Sequence, residues 1–281
     1  PQPTDILRHK RMLYNGSYWR EKAMIEAPSA GMLKGKSVLI TGGSAGIGKA
    51  TALLCAANGA SITIGDLNSE RGLSVVDEIL SAGGAAQFVK CDISQEPEVV
   101  ALINAAVEKY GALHCAFNNA AVPNSGKRLS DLAAEDWLRV HNVDLFGTFL
   151  CMKYEILAML ANGGGAIVNT SSAGGMVGFP YGADYVAAKH GVIGLTRAAA
   201  IDYGKENIRI NVLAPGACRT EMFQKSLSDN ADLEDYFKSL HPIGRFAEPN
   251  EMAQAAVWLM SDWSSFVHGA RLAVDGGYTA V

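Results

Sequence analysis

A regular alternation of short strand-like runs with longer helix-like stretches, beginning at Ser37, is the feature of this sequence that most restricts its fold. Parallel strands need a crossover connection between them, and a helix usually supplies it. The alternation therefore predicts an α/β fold, a single doubly wound domain with a seven-stranded parallel sheet and helices on both faces. The predicted strands are 37–41, 61–65, 86–90, 113–117, 166–170, 209–213 and 271–274.

Helical periodicity fills most of the intervals between these strands, with predicted helices at 47–57, 69–82, 96–110 and 250–260. Residues 1–35 lack such periodicity and contain several Pro, Gly, Asn and Ser residues. We therefore predict an N-terminal extension of unknown role at 1–32 and one domain at 33–281.

Composition excludes several classes of protein. Of the 281 residues, 49% are hydrophobic and 19% are charged, which is typical of a packed globular chain. The net charge of −4 gives no basic field for a nucleic-acid backbone, so we predict no nucleic-acid partner. The sequence contains no apolar run of about 18 residues and no apolar segment typical of a secretion signal. We therefore predict no membrane partner and a cytoplasmic location.

Cysteine and histidine spacing gives no sign of a metal site. The five cysteines are odd in number and lack C-x-x-C spacing, so we interpret them mostly as small core residues. The six histidines show no paired metal-ligand spacing, and we predict no bound metal.

A glycine-rich segment, TGGSAGIG at 41–48, directly follows the first predicted strand and opens the first helix. Glycines there permit a tight turn and a close approach of the backbone to a pyrophosphate, and the helix N-terminus presents unpaired N–H groups to the phosphates. Taken alone, the motif could also be a structural turn; its position between strand and helix favours a dinucleotide site. The candidate binding residues are Gly42, Ser44, Gly46, Ile47 and Gly48.

Asp66, at the end of the second strand, is the candidate ribose-binding residue, and Leu67 follows it. A carboxylate at this distance from the glycine-rich turn accepts hydrogen bonds from ribose hydroxyls and repels a 2′-phosphate. The sequence therefore favours NAD over NADP as cofactor. The alternative is a solvated aspartate in a turn, and Arg71 is a nearby cation that could reach a phosphate.

The motifs in this order resemble those of the compact, single-domain short-chain dehydrogenases/reductases, over about residues 33–281. The resemblance implies a Rossmann-like fold, with a homotetramer or homodimer as the assembly. It rests on the glycine-rich segment together with Asp92-Ile93, NNAA at 118–121, Ser172, Tyr185-x-x-x-Lys189, PGACRT at 215–220 and VDGG at 274–277.

The resemblance also assigns residues to the cofactor cleft. It implies that Asp92 and Ile93 lie by the adenine and that Asn119, Ala120 and Ala121 line the cleft. Ala121 stands where the family usually has glycine, a small change that we expect to be tolerated. The nicotinamide end is assigned to a final group, which consists of Pro215, Gly216, Cys218 and Thr220.

Tyr185 and Lys189 are the candidate catalytic pair. Four residues apart in a helical stretch, they project from one face about one turn apart. A neighbouring ammonium stabilises a phenolate and lowers the pKa of the phenol, which makes Tyr185 a plausible acid/base. The resemblance implies that Lys189 also contacts the nicotinamide ribose, so both residues belong to the cofactor site as well.

Ser172 and Asp144 complete the predicted catalytic group. Ser172 can hydrogen-bond the substrate oxygen, and the family spacing of thirteen residues before Tyr185 selects it over Ser171. Asp144 lies three residues before Gly147, where the family has its catalytic asparagine, whereas Asn142 does not match that pattern.

These residues predict an NAD(H)-dependent oxidoreductase that interconverts a small-molecule secondary alcohol and a ketone. The competing hypothesis is a noncatalytic or regulatory dinucleotide-binding protein, favoured only if Asp144 disables the site. By resemblance, residues 221–247 form a variable substrate loop. Its apolar side chains either admit a partly hydrophobic substrate or only pack the lid.

Overall fold

A computed structural model describes residues 31–227 and 231–280 of the chain. Within these residues, seven strands form one sheet whose neighbouring strands are all parallel. The spatial order is β3-β2-β1-β4-β5-β6-β7. The strands are β1 Ser37–Thr41, β2 Ser61–Asp66, β3 Ala85–Lys90, β4 Cys115–Asn118, β5 Gly165–Thr170, β6 Ile208–Pro215 and β7 Arg271–Val274.

Each helix lies in a connection between two consecutive strands. They are α1 Gly46–Ala57, α2 Ser69–Ser81, α3 Glu96–Tyr110, α4 Ala134–His141, α5 Thr148–Ala161, α6 Ala183–Tyr203, α7 Glu221–Leu227, α8 Ala231–Ser239 and α9 Pro249–Met260. A π-helical turn, Asn142–Gly147, joins α4 directly to α5.

The hydrophobic core has two parts, one on each face of the sheet. On one face, β-strand side chains such as Ile40 and Ile62 pack against α1, α2 and α9. On the other face, Leu39 and Ile167 pack against α3, α5 and the end of α6. A sheet covered on both faces buries nearly every residue of its inner strands, which explains their continuous apolar runs in the sequence.

The spatial order of successive strands reverses at β1: β2 and β3 lie on one side of it, and β4 to β7 lie on the other. Ligands of open α/β sheets bind in the crevice at the carboxyl ends of the strands at such a point. The glycine-rich segment follows β1 and the NNAA motif spans the end of β4. The fold therefore brings the candidate residues to one edge of the sheet.

The predicted fold class is confirmed, including the seven parallel strands and the Rossmann-like arrangement. The prediction starts the fourth strand at residue 113, two residues before the observed start of β4 at Cys115. Just before β4, the His114 N–H donates to the Ser37 carbonyl oxygen, and the His114 ring Nδ1 accepts from the Ser37 N–H. Most of the predicted extension, residues 1–30, lies outside the described residues, and the boundary at 32/33 stays a prediction.

All five cysteines are buried, as predicted. Burial raises the pKa of the Cys91, Cys115 and Cys218 thiols to about 12, so these side chains are protonated packing groups. Over residues 31–227 and 231–280, no cluster of three or more metal-ligating side chains is present. No helix in the same ranges has the length and apolarity needed to cross a membrane.

Candidate active site

The glycine-rich turn brings the backbone of β1 close to that of β4. Gly42 and Gly46 have φ values of 65° and 51°, a left-handed conformation that favours glycine. A Cβ on Gly42 would lie 2.8 Å from the Cα of Ala120, and one on Gly48 would collide with the carbonyl oxygen of Gly42. The three glycines are therefore required by the packing of the turn itself.

The first turn of α1 leaves its N–H groups available to an anion. Ala45 precedes the helix in an extended conformation, and no described side chain caps this turn. The turn carries no acidic residue, and Ser44 is buried at its entry. Gly46 and Ile47 open the helix, so a phosphate group would meet free backbone donors and the positive end of the helix dipole.

Asp66 lies at the end of β2 beside the glycine-rich turn. Its Oδ2 accepts a hydrogen bond from the Ser44 N–H at 3.1 Å, and its Oδ1 accepts from the Asn68 N–H at 2.9 Å. The carboxylate is thus fixed against the turn, while Leu67 next to it is exposed. Each carboxylate oxygen retains a lone pair for a further donor such as a ribose hydroxyl.

The NNAA segment is held against the end of β1. Thr41 Oγ1 accepts from the N–H groups of Asn119 and Ala120, at 3.0 and 3.2 Å. The Asn119 side-chain amide donates to the carbonyl oxygen of Gly42 at 3.2 Å. Among the described non-glycine residues, only Tyr181 and Asn207 have positive φ, so the methyl group of Ala121 introduces no left-handed strain.

Asp92 and Ile93 lie in the turn that follows β3. Asp92 Oδ1 accepts from the Ser94 N–H and hydroxyl, at 2.9 and 2.7 Å. Ile93 is buried against Gly147 of the π-turn, where a Cβ would lie 2.8 Å from the isoleucine side chain. Asp92 shapes the turn, and Ile93 anchors it to the core.

The segment after β6 closes the other side of the cleft. Thr220 lies beside the glycine-rich turn, since a Cβ on Gly46 would be 3.0 Å from its methyl group. Pro215 ends β6, and the Gly216 N–H donates to Val274 of β7 at 3.0 Å. The Cys218 side chain packs in the core, so only its backbone is available to a ligand.

Tyr185 and Lys189 lie side by side on α6, as their spacing predicts. The Lys189 Nζ is 5.3 Å from the centre of the Tyr185 ring and donates to the Thr170 carbonyl oxygen at 3.2 Å. The Ser172 hydroxyl lies near the Tyr185 hydroxyl and lowers its pKa, while it accepts a hydrogen bond from the Gly174 N–H at 3.0 Å. Ser171 instead donates its hydroxyl to the Lys189 carbonyl oxygen at 2.8 Å, which is a structural contact. The structure thus brings Ser172, Tyr185 and Lys189 together.

The pKa of Tyr185 is raised, whereas a phenol beside an ammonium is expected to have a lowered pKa. Burial raises the pKa of Tyr185, Lys189 lowers it, Asp144 raises it and Ser172 lowers it, with a net result above the ordinary value. Burial lowers the pKa of Lys189, but Asp144 and Tyr185 outweigh it and leave the pKa raised. Lys189 is therefore a protonated ammonium, and its effect on Tyr185 is outweighed in the free protein.

Asp144 is part of this group. It is fully buried in the π-turn, and its Oδ2 lies 3.2 Å from the Lys189 Nζ. Its Oδ1 accepts from the Val122 N–H at 2.8 Å. The family resemblance implies an asparagine at this position, and the structure places a carboxylate there in direct contact with the lysine.

Sequence reasoning missed Asp184 and Phe179, which border the catalytic group. Asp184 is buried, and its carboxylate accepts from the Ser125 N–H at 3.0 Å, from the Ser125 hydroxyl at 2.5 Å and from the Tyr185 N–H at 2.8 Å. The Phe179 ring is 6.3 Å from the Tyr185 ring. Asp184 fixes the loop after β4 to the start of α6; its position directly before Tyr185 was the available signal.

The region predicted as a substrate loop contains α7 and α8. Phe223 packs edge-on against Phe237 and Phe246, with ring centres 5.5 and 5.0 Å apart. These three aromatic residues therefore pack the lid itself. Met222 of α7 and Tyr236 of α8 remain exposed.

Comparison with known proteins gives consistent matches over most of the chain. A family model described as enoyl-(acyl carrier protein) reductase matches residues 42–279. The 2,5-dichloro-2,5-cyclohexadiene-1,4-diol dehydrogenase of Sphingobium indicum is 52% identical over 250 residues, covering 89% of this chain and 99% of that protein. The cyclohexanol dehydrogenase of an Acinetobacter species is 45% identical over 246 residues, covering 87% and 95%.

A solved structure of levodione reductase has the same fold. It superposes with a TM-score of 0.87 at 34% sequence identity, covering 89% of this chain and 99% of the other. The likeness therefore extends over the whole sheet and the helices described above.

Proposed function

Because the chain belongs to the short-chain dehydrogenase/reductase family, we propose that it interconverts a secondary alcohol and a ketone with NAD(H), with Tyr185 transferring the proton. The observation that carries this proposal is the grouping of Tyr185 with Lys189 and Ser172 at the carboxyl edge of the sheet. The noncatalytic alternative is weakened, because the matched relatives are named as dehydrogenases and all three of these side chains are present.

The residues present fit a dinucleotide. The glycines allow the tight turn after β1, and the first turn of α1 that follows it offers free N–H groups at the carboxyl edge of the sheet. Bound NAD⁺ supplies the acceptor for the hydride that leaves the alcohol carbon. Ser172 holds the substrate oxygen, and the Lys189 ammonium stabilises the phenolate form of Tyr185. That phenolate takes the hydroxyl proton of the alcohol and becomes a phenol. In the reverse direction, Tyr185 returns the proton to the oxygen of the reduced carbonyl.

NAD rather than NADP is the proposed cofactor. Asp66 is fixed beside the turn by Ser44 and Asn68, so its negative charge cannot easily leave the ribose position. A 2′-phosphate there would face like-charge repulsion and would lose the hydrogen bonds of the ribose hydroxyl. Arg71, at the start of α2, is exposed and remains the competing feature.

The proposed substrates are secondary alcohols carried on a six-membered carbon ring. Two relatives that cover most of this chain are named for a cyclohexadiene diol and for cyclohexanol. Next to Tyr185, this chain offers the flat Phe179 ring, against which an apolar ring can pack. An apolar wall and a polar catalytic group suit a small ring with one or two hydroxyl groups.

Turnover can be followed by NADH absorbance with cyclohexanol, a cyclohexanediol and an open-chain secondary hexanol as substrates. We expect oxidation of the ring alcohols with a higher kcat/KM than that of the open-chain alcohol. Preference for the open-chain alcohol would contradict the substrate class, and absence of turnover with every secondary alcohol and ketone tested would contradict the reaction.

The proton-transfer role predicts a large effect of Tyr185→Phe. Removing the hydroxyl should lower kcat by roughly 10²- to 10⁴-fold, because general acid/base catalysis contributes about that much. NADH binding, measured by fluorescence, should persist. Tyr203→Phe, at the other end of the same helix, is the matched control and should turn over like the wild type. Undiminished turnover by Tyr185→Phe would disprove the assignment.

The chain is also proposed to form a homodimer or homotetramer. Four large apolar side chains of the π-turn and α5 are exposed, and their spacing places them on one side of the helix. Exposed apolar patches of this kind mark interaction sites more often than free surface. The four residues are Phe146, Phe149, Leu157 and Leu160.

A further inference from the structure

Both side chains of the ion pair between Asp144 and Lys189 are buried. The Asp144 and Lys189 side chains are 0% and 2% exposed, and their charged atoms are 3.2 Å apart. Removing two charges from water is costly unless they are paired and their remaining hydrogen-bonding capacity is used. A buried pair beside Tyr185 therefore affects the electrostatics of that residue at close range.

The two carboxylate oxygens of Asp144 face different groups. Oδ1 accepts the Val122 N–H at 2.8 Å, while Oδ2 lies 3.2 Å from the Lys189 ammonium as its ion-pair partner and accepts no hydrogen bond among the described residues. The backbone carbonyl of Asp144 is also engaged, because the Thr148 hydroxyl donates to it at 2.8 Å. A carboxylate presents an oxygen both to the Val122 N–H and to the Lys189 ammonium, whereas an asparagine would direct its NH₂ group at one of them. Aspartate therefore suits this position better than asparagine.

We propose that Asp144 is a positioning residue that pairs directly with Lys189 and so raises the pH at which Tyr185 can accept the proton of the substrate. This inference rests on the proposed role of Tyr185 in catalysis. The carboxylate balances the ammonium charge that would otherwise stabilise the phenolate. The acid limb of the pH profile, in which alcohol oxidation slows as the pH falls, then lies at a higher pH than it would with an uncharged residue at position 144.

The charges around Tyr185 support this direction. Lys189 lowers the pKa of Tyr185 and Asp144 raises it, so the two act in opposition. Asp184 is engaged by Ser125 and by the Tyr185 N–H. His190 is exposed and contacts the Val186 carbonyl oxygen, away from the pair.

The remaining charged groups on the elements packed against α6 have other partners or lie at the surface. On α4, Asp136 pairs with Lys127, Arg139 donates to the Pro123 carbonyl oxygen, His141 contacts the Trp137 carbonyl oxygen and Glu135 is exposed. On β6, Arg209 donates to the Leu259 and Ser261 carbonyl oxygens. In the short turn after α6, Lys205 and Glu206 are exposed.

The kinetic test compares the pH dependence of kcat/KM for alcohol oxidation in the wild type, Asp144→Asn and Asp144→Glu. Asp144→Asn should move the acid limb to lower pH by roughly one unit, because a nearby charge shifts a pKa by about that amount or more. Asp144→Glu keeps the negative charge and should keep the wild-type limb even if turnover falls. An Asp144→Asn limb at the wild-type pH would overturn the proposal, as would equal shifts in both variants.

A second measurement does not depend on turnover. Tyrosinate absorbance is titrated in the free wild-type and Asp144→Asn proteins, and each curve is corrected with the same protein carrying Tyr185→Phe. The Tyr185 component should ionise at lower pH in Asp144→Asn, and an unmoved component would refute the effect of the charge. If the component moves while no alcohol is oxidised, the electrostatic inference stands and the proposed function fails.

Discussion

At the scale of single residues, the site depends on a few side chains whose charges act over short distances. Tyr185, Lys189, Asp144 and Ser172 form one group in which burial and opposing charges together set the proton affinity of the phenol. Spacing along α6 predicts that Tyr185 and Lys189 meet. It does not predict the net pKa shift, because that depends on the depth of the site and on a carboxylate from another element.

Asp66 provides a prediction at the same scale. Asp66→Ala should lower kcat/KM for NAD relative to NADP by roughly tenfold to hundredfold, because hydrogen bonds to a charged group contribute about 1.5–3 kcal/mol. Both cofactors are measured with one common alcohol. Asn68→Ala is the control: it removes the side-chain acceptor for the Arg71 N–H but keeps the carboxylate, so it should leave the cofactor ratio unchanged.

The assignment of NAD fails if the wild-type protein uses NADP at least as well as NAD. In that case Arg71 becomes the residue to test, because it is an exposed cation that follows Asp66 closely in the sequence.

At the scale of elements, a buried polar network joins α5 to the centre of the sheet. The Asn118 amide at the end of β4 donates to Glu155 Oε2 and to Asn169 Oδ1, both at 2.9 Å. Asn169 in turn donates to the Thr196 hydroxyl of α6 at 2.9 Å. Burial raises the pKa of Glu155 to about 8, so this carboxyl is protonated at neutral pH.

Glu155 predicts a pH-dependent stability. The unfolded chain releases this proton above the ordinary carboxyl pKa of about 4.3, while the folded chain holds it up to about 8. The free energy of unfolding therefore falls as pH rises between these values, by about 1.4 kcal/mol per unit for this group. Glu155→Gln removes this contribution, so its stability relative to the wild type should increase between pH 5 and 8.

Denaturant unfolding at several pH values measures the effect. Glu108→Gln, an exposed carboxyl on α3, is the matched control and should show no such trend. A constant difference between Glu155→Gln and the wild type across this range would show that Glu155 ionises normally in the folded chain.

The elements also show where sequence patterns mislead. The phenylalanines of the predicted substrate loop are apolar residues in a polar stretch, which suggests contact with a ligand. In the structure Phe223, Phe237 and Phe246 pack against one another, because two short helices need a core of their own. A one-dimensional pattern cannot distinguish packing within a lid from packing against a substrate.

At the scale of the whole molecule, the exposed apolar face of the π-turn and α5 predicts self-association. Light scattering should give the mass of a dimer or tetramer for the wild type. Phe149→Ser combined with Leu157→Ser should shift the protein to smaller species, because both side chains lie on this face. Leu80→Ser, an exposed leucine of α2, should leave the mass unchanged. A monomeric wild type would contradict the proposal.

The sequence alone is enough to predict the order and type of most elements, the glycine-rich turn and the pairing of Tyr185 with Lys189. These features depend on local periodicity and on spacing within one or two turns, which the order of residues encodes directly. It also correctly predicted the burial of the cysteines, because small apolar side chains favour the core.

Which distant groups meet depends on how the chain packs in three dimensions. Lys189 forms an ion pair with Asp144. Glu155 accepts a hydrogen bond from Asn118, and Asp184 accepts one from Ser125. In each case the partners come from different parts of the chain. Which charges are buried, and what faces them, depends on how the sheet and the helices pack. Because proton affinity is set by that burial and by those neighbours, the chemistry of the site follows from the folded chain rather than from its motifs.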